Sequence, residues 1–327
     1  MIRSFPVFAT AVLLFPLLAQ DPDNSTIRAN VPLVLVPVTV TDKKGNFIDG
    51  LSVDDFRLTD DGVAQKIRMD TSDTVLAPVS LMVLIQASGI SAPALARIER
   101  VGGLIKPLVI GQRGQAAVIE FDDEIRLRTD FTADSDLISA AFQGTRSRSI
   151  RTSRLIDAVA EGIRRLDTRP PNNRRVMLIL SESRDRGSKG KLSEVIEQAQ
   201  RAGVVVYPAT YSVQGSTFLS SPSTSPSMPG GDDTVNILGG IQELARIGKA
   251  NVADALARTT GGRHLSFLTL ASLENVISRA GEEIHSQYLL SFTPTPSAKD
   301  GFHQIQVATP SHPDAVIRVR LGYWPQK

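Results

Sequence analysis

The stretch "VSLMVLIQASGISAPALARI", residues 79–98, is an apolar run that ends at Gln86-Ala87-Ser88-Gly89-Ile90 and passes into a helical pattern. This is how a strand buried on both faces looks when it stops at a loop and hands over to a helix. Three further apolar runs follow, "QAAVIEF" (115–121), "RVMLILS" (175–181) and "GVVVYPATY" (203–211). Between and after them lie the amphipathic stretches "RLIDAVAEGIRRL", "KLSEVIEQAQRAG", "NVADALARTTGG" and "ASLENVISRAGEEIHSQ", the third ending on a glycine pair suited to a helix C-cap. Strands alternating with helices in this way predict an α/β fold with a doubly wound, mainly parallel sheet. In such sheets ligands gather at the loops beyond the carboxyl ends of the strands.

The flanks follow a different grammar. Residues 33–41, "LVLVPVTVT", place Val34, Val36, Val38 and Val40 on one face, and "DKKGN" then turns the chain. "DFRLTDDGVAQKIRM" repeats the pattern around an Asp61-Gly62 hairpin signal. After residue 285 the strands return as "QYLLSFTP", "GFHQIQVATP" and "AVIRVRLGYW". Neither set can close a core alone, so residues 31–77 and 286–327 are expected to form one small β-sandwich, with the α/β domain (78–285) inserted between them. Within that domain, residues 212–240 are rich in Ser, Pro and Gly and read as a flexible surface insertion.

With 327 residues and 42% hydrophobic content, the chain is long enough for two cores. Residues 1–19 carry Arg3, an apolar run and a small residue at Ala19, the layout of a cleavable signal peptide, so the protein is expected to be secreted or periplasmic. A short uncleaved anchor is the alternative; after cleavage no transmembrane segment is expected. The absence of cysteine excludes disulfides, thiolate nucleophiles and thiolate metal sites. The histidines at 264, 285, 303 and 312 are scattered, and neither a Gly-x-Ser-x-Gly elbow nor a phosphate loop occurs, so no catalytic residue is assigned. His264 reads as structural, and Asp122, Asp123 and Glu124 read as solvated turn residues. Nucleic acid is not an expected partner, because the chain is read as exported and 5% aromatic content leaves few stacking platforms. The formal net charge is only +2, yet residues 146–191 hold thirteen Lys and Arg against five acids.

Taken in order, "VTVTDKKGNFIDGLSVDDFRLTDDGVAQKI", "VIEFDDEIRLRTDFTAD" and "SQYLLSFTP…GFHQIQV…VRLGYW" resemble the von Willebrand factor A family, in particular the VWFA-related proteins of the acidobacterial type, over nearly the whole mature chain. The resemblance implies a first strand ending in Asp-x-Ser-x-Ser, completed by a Thr from a second loop and an Asp from a third, which together hold Mg²⁺ with open positions for a partner's carboxylate. The matching positions here are Gln86, Ser88, Ile90, Ser153 (Thr152 if the register slips by one) and Glu182. A neutral amide, an isoleucine and a longer acid leave a degenerate adhesion site, so these five are read as vestigial and no cofactor is expected. Arg151, Arg154, Arg184 and Arg186 flank the second and third loops and could hold an acidic protein partner through guanidinium forks, a solvated basic rim being the bland alternative. The expected function is an exported, non-enzymatic protein-interaction or adhesion module that needs no metal. The alternatives are a Mg²⁺-dependent adhesion domain using Ser88, Ser153 and Glu182, or an unrecognised hydrolase.

Overall fold

The computed structural model describes residues 33–69, 77–89, 92–148, 151–211, 251–294 and 301–324. The signal read at 1–19, Ile90 and the insertion read at 212–240 lie outside the described residues. The described residues open with four strands, β1 (Val34–Thr41), β2 (Arg57–Asp60), β3 (Val63–Ala64) and β4 (Ile67–Met69). It then runs through β5 (Val79–Gln86), α1 (Ala92–Ile98), β6 (Gln115–Phe121), β7 (Ile125–Thr132), α2 (Ser135–Gln143), α3 (Leu155–Asp167), β8 (Arg174–Ser181), α4 (Leu192–Arg201) and β9 (Val205–Thr210). Next come α5 (Val252–Thr260), β10 (Leu265–Ser266) and α6 (Leu270–His285), and the chain closes with β11 (Tyr288–Phe292), β12 (His303–Ala308), β13 (Val316–Arg318) and β14 (Gly322–Tyr323).

The six strands from β5 to β10 form one sheet in the order β10-β9-β8-β5-β6-β7. All neighbours are parallel except β7, which returns antiparallel to β6 as a hairpin. Helices cover both faces. On one side, α1, α2 and α6 pack Ile98, Phe142 and Ile277 against Leu81, Val83 and Ile85 of β5. On the other, α3, α4 and α5 pack Val159, Ile196 and Leu256 against Met82 and Leu84. Burial on both faces explains why every residue of β5 is inaccessible and why its sequence is a continuous apolar run. From β5 the chain winds outward to β6 and β7, then crosses back to build β8, β9 and β10 on the other side. The crevice between β5 and β8 is therefore the topological switch point, where a doubly wound sheet opens at its carboxyl edge.

The flanking strands build two four-stranded sheets, β13-β1-β11-β4 and β14-β12-β2-β3. Both mix the two ends of the chain. In the first, Val36 pairs with Leu290 and Val40 with Ile317; in the second, Thr59 pairs with Gln306. Val36, Val38, Phe56, Leu58, Leu290, Phe292, Ile305 and Tyr323 form a single apolar cluster. Asp61 and Gly62 take positive φ angles of 50° and 81°, the left-handed pair that a tight two-residue hairpin between β2 and β3 requires. Residues from Pro32 onward make one compact unit, and buried polar contacts join the flanking strands to the parallel sheet. The Gln287 amide accepts from Arg174 (2.7 Å) and donates to Tyr207 (3.0 Å) and Thr39 (3.3 Å). Among the described residues no helix is long and apolar enough to cross a membrane.

Because Leu290 is fully buried where the first and last segments pair, Leu290→Ala is expected to cost about 2–5 kcal/mol of unfolding free energy in a urea titration. Hydrogen exchange should show the loss of protection spreading to residues 34–41 as well as 288–292. Full protection of β1 in this variant would mean that the two ends of the chain hold separate cores.

Candidate functional site

Three loops meet at the carboxyl edge of the parallel sheet, and they are laced together by direct hydrogen bonds. Ala87 continues β5 by bonding Phe121, and its carbonyl accepts from Arg148 (3.0 Å), which ties the first loop to the segment after α2. Ser153 and Arg186 exchange both backbone bonds (2.9 and 2.8 Å), which ties the segment before α3 to the loop after β8. That loop also caps α3. Asp185 accepts the Ile156 N–H (3.0 Å), and the Ser188 hydroxyl accepts that of Asp157 (3.1 Å), so two of the helix's orphan donors are satisfied from a distant segment.

Gln86 sits at the centre of this arrangement. Its side chain is fully buried; Nε2 donates to the Ser88 hydroxyl (2.7 Å) and Oε1 accepts from the Glu182 backbone N–H (2.9 Å). The amide thus spans the crevice between β5 and β8. Ser88, Ser153 and Glu182 are all buried around it. Among the described residues the Ser153 hydroxyl and Glu182 Oε1 have no hydrogen-bond partner, while the other Glu182 oxygen lies 3.3 Å from the Arg186 guanidinium. Burial pushes the Glu182 carboxyl above its usual range, and Arg186 offsets only part of that.

The sequence-derived arginines divide by role. Arg151, Arg184 and Arg186 are exposed on these loops. Arg154 is turned inward: its guanidinium binds Asp157 (2.6 and 2.8 Å) and the Asp123 carbonyl (3.2 Å). Asp157 is held below the usual carboxylate range despite its burial, because the Gly190 and Lys189 N–H groups and Arg154 all donate to it.

Asp122 corrects the reading of residues 122–124 as a solvated turn. It is fully buried, because the turn folds back over the sheet edge, and it accepts from the Glu124 N–H (2.9 Å) and Arg126 (2.9 Å) while its own carbonyl accepts from Arg154 (2.8 Å). Burial alone would raise the Asp122 carboxyl, but these donors outweigh it and the net shift is downward. Glu120, also buried, lies 3.4 Å from Arg126 and 3.8 Å from Arg148. This acidic pair, with Arg126 and Arg148 over it, was missed in the sequence. One signal was present, since Glu120 is an acid inside the otherwise apolar run "AAVIEF". His264 lies 2.8 Å from the Thr210 hydroxyl.

No family model matches the chain, and neither does any curated protein. Solved structures with a similar fold include the conserved hypothetical protein BatB of Bacteroides thetaiotaomicron, at 13% identity and a TM-score of 0.45 over 63% of this chain and 98% of that one. A von Willebrand factor type A protein of Catenulispora acidiphila is similar at 12% identity and 0.46 over 79% and 51% of the two chains. Proximal thread matrix protein 1 of the mussel byssus is similar at 12% and 0.47 over 69% and 49%. Likeness at this distance carries no residue roles across, and the site stands on its own geometry.

Two outcomes follow from that geometry. Gln86→Ala leaves the Glu182 N–H without this acceptor in a buried place and is expected to cost about 1–3 kcal/mol in chemical denaturation. A carboxyl whose folded pKa is raised binds more protons in the folded state, so its contribution is lost as pH climbs from the ordinary carboxylate range through the folded value. Glu182→Gln should therefore raise the melting temperature at neutral pH and have less effect near pH 4.

Proposed function

We propose that this chain is an exported, non-enzymatic protein-interaction module. In this reading a von Willebrand-type α/β domain, residues 78–285, is inserted into a small β-sandwich built from residues 31–77 and 286–327. The binding face is the carboxyl edge of the parallel sheet. Gln86, Ser88, Ile90, Ser153 and Glu182 are the vestiges of a metal site, and partner recognition needs no Mg²⁺. One observation carries this reading: the buried Gln86 carboxamide spans Ser88 and Glu182, giving the first and third loops the direct link that an ion would otherwise supply. An amide offers a donor and an acceptor but no charge, whereas Mg²⁺ needs near-octahedral oxygen ligands with one or two carboxylates.

The partner surface offered is cationic. Arg151, Arg184 and Arg186 project from loops that Ser153 and Arg186 hold in register, and Arg154 fixes the base of the second loop through Asp157. Guanidinium forks of this kind bind carboxylates in a bidentate manner, which makes an acidic protein segment the fitting partner.

The test is a binding measurement with a partner recovered by pull-down. Association should be the same in chelator and in millimolar Mg²⁺. Replacing Arg151, Arg184 and Arg186 together by glutamate should slow it and flatten its dependence on ionic strength. Saturable Mg²⁺ binding that disappears in Glu182→Ala, with association dependent on the ion, would restore the metal-dependent reading; unchanged kinetics in the triple variant would place the contact elsewhere.

A further inference from the structure

A second cluster of chemically active side chains lies on the flanking strands. Asp60 ends β2, Asp61 opens the hairpin turn after it, and His303 begins β12. Their nearest ligand atoms, one from each residue, all lie within 4.8 Å of one another. Asp60 and His303 are buried, and Asp61 is exposed. His303 Nδ1 stands 3.2 Å from Asp60 Oδ1 and 3.3 Å from Asp61 Oδ2, nearly equidistant from the two carboxylates.

That spacing is long for a charge-assisted N–H···O⁻ bond, which closes to about 2.7–2.9 Å, and a single Nδ1–H cannot point at both oxygens at once. It matches the separation of neighbouring ligands around a tetrahedral ion bound at about 2.0–2.1 Å, where adjacent ligand atoms lie about 3.3 Å apart. The far oxygen of each carboxylate is fixed from outside the cluster. The Tyr323 hydroxyl donates to Asp60 Oδ2 (2.8 Å) and the Gln304 N–H to Asp61 Oδ1 (2.9 Å). Each carboxylate therefore has one oxygen held by an outer donor and the other turned toward the imidazole, the arrangement that outer-shell bonds impose on metal ligands. Asp61 gives the cluster its opening to solvent.

We propose that Asp60, Asp61 and His303 bind a divalent transition ion, Zn²⁺ by the mixed nitrogen and oxygen donor set, with a remaining position open to water. The ion ties the β2–β3 hairpin to β12, and so joins residues 243 positions apart in sequence on the edge of one sheet. This site is separate from the loops around Gln86, shares no residue with them, and stands or falls without the proposed function.

The experiment titrates ZnCl₂ into the chelator-stripped full chain by calorimetry and follows the melting temperature. One equivalent should bind saturably in the micromolar range or tighter, and the melting temperature should rise with ion concentration, because the ligand binds the folded state alone. Asp61→Asn, which keeps an oxygen for the Gln304 N–H and a residue type that tolerates the φ of 50° at this turn, should weaken binding by the folded protein at least about tenfold, and His303→Gln should abolish it. Co²⁺ in place of Zn²⁺ should give visible absorption bands that His303→Gln lacks. If His303→Gln fails to fold, Asp61→Asn decides the matter. The absence of saturable binding by the unmodified chain, or equal affinity in Asp61→Asn, would leave an imidazole bonded between two carboxylates and overturn the proposal.

Discussion

The loops at the sheet's carboxyl edge depend on one side chain. Gln86 ends the central strand of a doubly wound sheet, at the point where the winding reverses, and its amide reaches both its own loop and the start of the loop after β8. An aspartate there would be an anion close to a buried glutamate whose carboxyl is already raised by burial. Two carboxylates removed from water are stable only with a counter-ion or a proton between them. The carboxamide removes that requirement. Each neutral hydrogen bond contributes only about 1 kcal/mol, but the alternative, an uncompensated buried charge, costs several times as much.

Once the loops are held by direct bonds, the basic excess of residues 146–191 takes on a different meaning. Many of its cations have structural partners. Arg164 and Arg165 share Glu161, Arg175 is held by Asp167 and by three backbone carbonyls, Arg154 binds Asp157, and Arg174 is buried against Gln287. Lys191 pairs with Glu194 on the surface. Beneath the same edge, Glu120 and Asp122 draw in Arg126 and Arg148. The cations left exposed on these loops are therefore fewer than the sequence count suggests: Arg151, Arg184 and Lys189, with Arg186 partly neutralised by Glu182.

What could be read in the sequence was what repeats along it. The apolar runs of β5, β6, β8 and β9 and the 3.6-residue spacing of α3 and α4 carry the parallel sheet in local pattern alone, and the alternating valines of β1 mark its core-facing side, although Thr39 and Thr41 on the other face are buried as well. Gln86, Ser88, Ser153 and Glu182, which line the crevice, could be picked out only through the family resemblance. The bond that matters most among them could not, because it joins Gln86 to a residue 96 positions away and depends on which rotamer the packed crevice allows. Asp122 was misjudged for the same reason: a three-acid turn looks solvated until Arg126 and the N-terminus of α3 close over it. His303 looked isolated because its partners lie at the other end of the chain.

A binding face on loops is only as well defined as the frame beneath it, and here the frame is held to the flanking strands by buried charge. Glu283 on α6 is almost inaccessible and lies between Arg263 (3.1 Å) and Arg318 of β13 (2.7 Å). Nearby, Tyr207 on β9 is completely enclosed, and burial pushes its phenol far up, so it stays neutral while its oxygen accepts from the Gln287 amide. Such a network contributes little net energy compared with an apolar joint of the same shape, but it tolerates no sliding, since shifting either side would leave a guanidinium or a carboxylate buried without its partner. Hydrophobic contact alone would permit a family of near-equivalent packings. The polar joint selects one, and it passes that single orientation through α6 and β9 to the sheet whose edge presents the loops.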